Sequence, residues 1–186
     1  MYELLSYLNR IHPVSPELKK YLGAVMKQKR IPKHQYLVEA GETGNKIWFL
    51  EKGLIRCYYT QDEREITVWF INEGNFIFPY DSLLDQKPNQ FYLETLENCI
   101  VWHLSHTDIK YITEQFPEVT IFKTKITQWH AHLLHLRLQC TSMQTAKERY
   151  RFFMQHFPYL NKRIKHTTLA SYLDISKRTL IRLLHN

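Results

Sequence analysis

Lys177, Arg178, Ile181 and Arg182 fall at i, i+1, i+4 and i+5, so a helix carrying them would present three cations and one aliphatic side chain on a single face. Arginine and lysine can engage the two acceptors on a guanine edge, and either cation can neutralise a backbone phosphate. That is chemistry suited to reading a duplex.

Such a face needs a rigid mount, and residues 166–186 have the pattern of one. Leu169 and Leu173 lie about one turn apart, Leu180 and Leu183 repeat the spacing, Ile175 fills the corner, and the small Ala170 sits where two helices must cross closely. The pattern predicts a helix-turn-helix. Its second helix, from Lys177 to about His185, is expected to turn Leu180, Leu183 and Leu184 inward. Ser176 is placed to cap that helix and Thr167 to cap the first. Asp174 stands at the turn position that takes a left-handed conformation, where Gly is common and Asp is tolerated. The predicted DNA contacts are Thr167, Ser176, Lys177, Arg178, Thr179, Ile181 and Arg182, joined by Lys162, Arg163 and Lys165 from the preceding loop. The competing reading is an ordinary pair of packed helices with a solvated basic surface.

Charge favours the duplex reader. The chain holds 25 Lys and Arg against 18 Asp and Glu, a net of +7. From Ser142 onward there are nine basic residues against Glu148 and Asp174 alone, so the whole excess is C-terminal and the first 141 residues are neutral by formal count. A cationic segment on a neutral body is what a polyanion-binding module requires.

At 186 residues the chain can hold one domain of about 120 residues and a small second one. There is no run of eighteen apolar residues and no signal-peptide pattern, which predicts a cytoplasmic protein that makes no use of a membrane. Cys57, Cys99 and Cys140 are single and far apart, and are expected to be reduced and buried rather than paired or metal-bound. No phosphate-binding glycine loop, nucleophile elbow or zinc-protease motif is present. The chain is therefore read as a non-enzyme with no cofactor and no metal.

The elements that would carry the reading face follow in order. Residues 2–9 and 15–25 read as short helices, the second capped by Ser15. Between Lys27 and Ser105 the period becomes that of strands, with β-branched and aromatic runs at 36–40, 47–51, 54–59, 66–71, 76–78, 91–95 and 100–104 separated by turn signals. Seven or eight strands imply a closed or sandwiched antiparallel fold. A short helix entered at Ser105 and a long one opened by Pro117 come next. The long helix carries Val119, Phe122, Ile126, Trp129, Leu133, Leu136, Cys140 and Met143 at alternating spacings of three and four. That seam predicts pairing with a second copy through Phe122, Ile126, Trp129, Leu133, Leu136 and Cys140, while Ala131, Leu134 and Leu138 form a second stripe that would pack on the β domain. The alternative is one broad apolar face buried inside the protomer. A further helix over about 142–156 ends before Pro158.

This order of elements resembles the Crp/Fnr family of transcription regulators over nearly the whole chain. The specific matches are Ala40-Gly41-Glu42-Thr43-Gly44 through Glu51-Lys52-Gly53-Leu54-Ile55-Arg56, then Glu73-Gly74-Asn75, then Leu169 to Ser176. The resemblance implies an α+β chain: an N-terminal antiparallel, cyclic-nucleotide-binding-like β-roll over 1–116, a dimerisation helix over 117–141 and a small all-α helix-turn-helix domain over 142–186. It implies a homodimer on double-stranded DNA, a small-molecule effector in the roll that reorients the DNA-binding domains, and RNA polymerase as a further partner. Lys177, Arg178 and Arg182 stand where the family contacts bases and phosphates.

Two departures shape the expectation. The family's cyclic-nucleotide members carry Gly-Glu and, some fifteen residues on, Arg-Ser or Arg-Thr; here Gly74-Asn75 and Asn89-Gln90 correspond, and no arginine occurs between Arg64 and Arg137. Burying a cyclic phosphate without a guanidinium forfeits the charge-assisted pair that offsets its desolvation. The chain is thus expected not to take cyclic AMP in the usual way, with Asn75, Phe76, Asn89, Gln90 and Phe91 as the nearest candidates for an effector pocket. The second departure is that the chain ends at Asn186 without the β-hairpin wing of winged members, so DNA affinity would rest heavily on phosphate contacts. His130, His132 and His135 do not share one helix face and are read as solvated or interface residues rather than ligands. Phe70, Phe76, Phe78, Tyr80, Phe91 and Tyr92 are read first as roll core and second as an apolar effector pocket. The runner-up function is a ligand- or protein-binding roll whose helix-turn-helix does not read DNA.

Overall fold

A computed structural model describes residues 1–185. Asn186, assigned above to the helix-turn-helix, lies outside the described residues. Two helices open the chain, α1 (Tyr2–Ile11) and α2 (Pro16–Val25); the Ser15 hydroxyl accepts from the Leu18 N–H and Pro16 occupies the first turn, where its missing N–H costs nothing. Leu4, Leu8, Leu18 and Leu22 are the residues these helices bury.

Eight strands follow: β1 (Lys27–Ile31), β2 (Tyr36–Val38), β3 (Lys46–Lys52), β4 (Ile55–Gln61), β5 (Arg64–Ile71), β6 (Asn75–Ile77), β7 (Tyr92–Thr95) and β8 (Cys99–Ser105), with a short helix α3 (Tyr80–Asp85) between β6 and β7. They form two antiparallel four-stranded sheets, ordered β1-β8-β3-β6 and β2-β7-β4-β5. Leu50, Ile55, Leu93 and Val101 are in the cluster buried between them. Gly53, at φ 107°, makes the β3–β4 turn possible, since a Cβ there would lie 2.6 Å from the Cys99 sulfur. β1 was not among the segments read as strands, because four of its five residues are exposed and three of those are Lys or Arg. Its hydrogen bonds to β8 hold it in the sheet without an alternating pattern.

Five helices build the rest: α4 (His106–Gln115), α5 (Glu118–Ser142), α6 (Ala146–His156) and, after a 3-10 turn at Pro158–Leu160, the pair α7 (His166–Leu173) and α8 (Lys177–Leu184). Reciprocal capping boxes start α4 (Ser105 with Asp108) and α6 (Thr145 with Glu148). α1, α2, α4 and the first half of α5 share one buried cluster with Phe49 and Phe76 of the roll. A second cluster joins Leu54, Phe70 and Leu96 of the roll to Phe153, Leu160, Leu169, Tyr172, Leu173 and Leu180 of the last helices. Cys57, Cys99 and Cys140 are free and buried. Among the described residues no helix is long and apolar enough to cross a membrane.

Candidate nucleic-acid interface

α7 and α8 meet at Asp174, which adopts φ 52° and ψ 52°, so aspartate does take the left-handed turn; its N–H donates back to the Ala170 and Ser171 carbonyls. Leu169, Ala170, Leu173 and Leu180 are buried where the two helices cross. The Ser176 hydroxyl accepts from the Thr179 N–H and lies 2.8 Å from the Thr179 hydroxyl, fixing the first turn of α8. Thr167 is not a cap: α7 begins at His166 with Lys165 preceding it, and Thr167 is exposed inside the first turn. Leu184 does not turn inward either. It is 37 % exposed, as is Ile181, in the last turn of the eight-residue α8.

Lys177, Arg178, Ile181 and Arg182 are all exposed, so α8 leaves the face named from spacing open to solvent. Lys162, Lys165 and Thr167 are exposed beside it. Arg163 is different. Its guanidinium donates to both carboxylate oxygens of Glu73 at 2.7 and 3.0 Å and to both of Glu97 at 2.7 and 2.8 Å, so it ties the loop before α7 to the roll instead of waiting for a phosphate. Burial pushes the Glu73 carboxyl up, but Arg163 and the Gly53 N–H outweigh that and hold it below the usual carboxylate range. Arg149 likewise turns inward, to the Leu173 and Asp174 carbonyls.

Further contacts seat α7 on β5. The Ser171 hydroxyl donates to the Glu65 carbonyl at 2.7 Å and accepts from the Thr67 N–H at 2.9 Å. Arg137 of α5 lies 4.4 Å from the centre of the Tyr172 ring and donates to the Tyr172 carbonyl. Tyr172 in turn packs on Phe70 and Phe153, with ring centres 5.4 and 5.3 Å away.

A cavity of about 40 Å³ opens where β5, β6, β7, α5 and the 3-10 turn converge. Of the residues named as an effector pocket, Asn75, Phe76 and Phe91 line it. Asn89 and Gln90 do not. The Asn89 side-chain amide donates to the Glu42 carbonyl at 2.8 Å and closes the β2–β3 turn, while Gln90 is exposed. Nor is His130 a solvated residue: its Nδ1 lies 2.6 Å from the Tyr80 hydroxyl and its Nε2 3.2 Å from the Phe76 carbonyl. A carbonyl only accepts, so Nε2 carries the proton and Nδ1 accepts from Tyr80. Among the described residues no group of three or more His, Cys, Asp or Glu is placed to hold a metal ion.

Residues 28–116 match the family model of the cyclic nucleotide-binding domain. Three solved structures superpose on most of the chain. FixK2 from Bradyrhizobium japonicum does so at TM-score 0.75 with 15 % identity, covering 87 % of this chain and 83 % of its own. The c-di-GMP responsive global regulator CLP from Xanthomonas campestris gives 0.75 and 13 %, covering 92 % and 90 %. A protein assigned to the Crp/Fnr family as a transcriptional regulator, from Eubacterium rectale, gives 0.75 and 15 %, covering 92 % and 82 %. The chain is Crp/Fnr-like in fold. No curated protein sequence matches it.

Within this Crp/Fnr-like fold the two stripes of α5 differ in burial from what spacing suggested. Phe122, Ile126, Leu136 and Cys140, expected at a dimer interface, are buried inside the protomer at 7 % exposure or less, Phe122 and Ile126 in the cluster shared with α1 and the roll and Cys140 in the one shared with Phe153 of α6. Trp129, 44 % exposed, donates to Asn75, and half-buried Leu133 lines the cavity. Leu134 and Leu138, expected to pack on the β domain, are 44 % and 68 % exposed, and Ala131 beside them is exposed too. Both stripes repeat at three and four, so period alone could not say which one the roll would cover.

Proposed function

We propose that the chain is a sequence-specific transcription regulator of the Crp/Fnr type that binds double-stranded DNA as a homodimer in the cytoplasm, by recognition and not by catalysis. The observation that carries the reading is the α8 face, with Lys177, Arg178, Ile181 and Arg182 exposed together above a buried Leu180. In this reading Arg178 and Arg182 meet base edges, Ile181 meets a methyl, and Lys177, Lys162, Lys165 and Thr167 meet phosphates. The hydroxyls of Ser176 and Thr179 contribute chiefly by fixing the helix start, since they already bond each other. The second copy packs along Thr127, Ala131, Leu134 and Leu138, spaced four, three and four on the exposed side of α5.

Cyclic AMP is not the signal in this reading. The segment after β6 that would meet its phosphate holds no arginine, and the Ser82 hydroxyl there already accepts from the Gly44 N–H at 3.0 Å and donates to the Lys87 carbonyl at 3.1 Å. Among similar structures, one protein is described as c-di-GMP responsive and another as CO-dependent, so the fold is not bound to one effector. The second reading, a roll whose helix pair is a structural cover, is favoured by the Ser171 and Arg163 contacts that fix α7 to β5 and the roll.

Salt-titrated gel shifts separate them. Arg182→Ala is expected to weaken binding to a selected site about tenfold while leaving random DNA nearly unchanged, and Lys162→Ala to weaken both equally. Equal losses on both DNAs for Arg182→Ala would count for the second reading.

A further inference from the structure

A second space, a cleft of about 280 Å³, lies between the roll and the start of α7. Lys33, Arg56, Glu65 and Glu94 line it from the roll, and Lys165 and Thr168 from the other side. Its two carboxylates are already engaged. Arg56 Nε and Nη2 donate to Glu94 at 2.9 and 2.7 Å, and Nη2 donates to Glu65 at 2.6 Å. Arg163, on the same wall, is spent on Glu73 and Glu97.

What remains is a set of donors with nothing to donate to. Arg56 is 7 % exposed, yet among the described residues its Nη1 has no acceptor. Thr168 is 8 % exposed, and among the described residues its hydroxyl has no partner either. Neither atom is sealed in the interior, so each opens onto the cleft that its residue lines. The first N–H groups of a helix find no acceptor within it, and Lys165, which precedes α7, carries no side-chain acceptor to cap them. Those of His166, Thr167 and Thr168 therefore stay open at the positive end of the helix. Lys33 and Lys165 are exposed and form no ion pair with a described residue. An acceptor that reached these groups would remove the cost of leaving buried donors unpaired.

We infer that this cleft binds a phosphate dianion, free or as the end of a small ester. The α7 N–H groups and the Thr168 hydroxyl hold it from one side and Arg56 Nη1 from the other, while Lys33 and Lys165 balance its charge. A tetrahedral oxyanion presents acceptors in all these directions at once. A DNA phosphate is not the occupant, because Arg56 and Thr168 are more than nine-tenths buried and a duplex lying across the surface does not reach them. The cleft has room for on the order of twenty waters, enough for a small ester. No Phe, Tyr or Trp lines it, so it offers a nucleobase no ring to stack on. An occupant joins the roll to the root of the helix pair. The inference does not depend on DNA recognition and is measured without DNA, so the two fail separately.

The test is two-dimensional amide NMR of the full chain at low salt and about pH 7, where a phosphate monoester is mostly dianionic. The signals followed are the backbone N–H groups of His166, Thr167 and Thr168, and the probes are glycerol 3-phosphate, inorganic phosphate and dimethyl phosphate. The first two are expected to shift all three signals saturably and at least about tenfold more tightly than dimethyl phosphate, which carries the single charge of a DNA linkage. Whichever of the two binds more tightly tells an ester from the free ion. Thr168→Val, which removes a hydroxyl that has no partner in the protein, should weaken binding about fivefold. Lys33→Ala, on the surface, should weaken it also and carries the test if the first variant does not fold; Lys20→Ala, on α2 outside the cleft, should change nothing. No saturable shift, dimethyl phosphate binding as tightly as the dianions, folded Thr168→Val and Lys33→Ala variants that bind as the unaltered chain does, or shifts confined to α8 would each overturn the inference.

Discussion

Arg163 and Lys165 sit two positions apart in one basic loop, yet one is bonded to Glu73 and Glu97 and the other is open to solvent. Replacing Arg163 with Ala is expected to cost about 1–2 kcal/mol of stability, since the pairs are bidentate but only partly buried. It should leave the salt dependence of DNA binding unchanged, whereas Lys165→Ala should lower the slope of log affinity against log salt by about one. Thermal melts and salt-titrated binding check the two halves. The same pairing gives a pH signature. Glu73 is held below the usual carboxylate range in the folded chain, so its contribution is complete above the ordinary value of 4.5 and is lost as the pH falls through the lower, folded value. Acid unfolding should therefore be shallower for Arg163→Ala than for the unaltered chain. The exposed α8 cations were legible because i, i+1, i+4 and i+5 spacing fixes a face whatever lies around it. The fate of Arg163 was not, because both its partners are about seventy and ninety residues away in sequence.

At the scale of elements, the proposed dimer rests on α5. The exposed stripe through Leu134 and Leu138 calls for a partner, and Leu134→Glu with Leu138→Glu is expected to give a monomer by sedimentation equilibrium while the far-ultraviolet spectrum stays unchanged. Phe122→Ala should do the opposite, costing about 3–5 kcal/mol of stability by opening a hole in the protomer core without dissociating the pair. If Phe122→Ala alone dissociates it, the assignment of the stripes fails. The helices, the caps at Ser15, Ser105 and Ser176 and the left-handed Asp174 were readable because local hydrogen-bonding chemistry determines them. β1 and α3 escaped for a related reason: β1 owes its place to pairing with β8, and α3 is a six-residue helix entered behind Pro79, too short to show a period.

Taken whole, the molecule divides less cleanly than its sequence. The boundary read at 142 separates a neutral segment from a cationic one, but the buried cluster around Phe70, Phe153 and Tyr172 crosses it, so the helix pair shares a core with the roll. Displacing α8 relative to the roll must therefore disturb Phe70, Tyr172 and the Arg163 pairs together. The account nonetheless depends first on whether α8 reads a duplex. The most direct measurement is selection of bound sequences from random double-stranded DNA by the full-length chain. Recovery of an inverted repeat with half-site centres about 10 base pairs, one helical turn, apart is the expected result; binding with no enriched motif, or enrichment of a lone half-site, would contradict it.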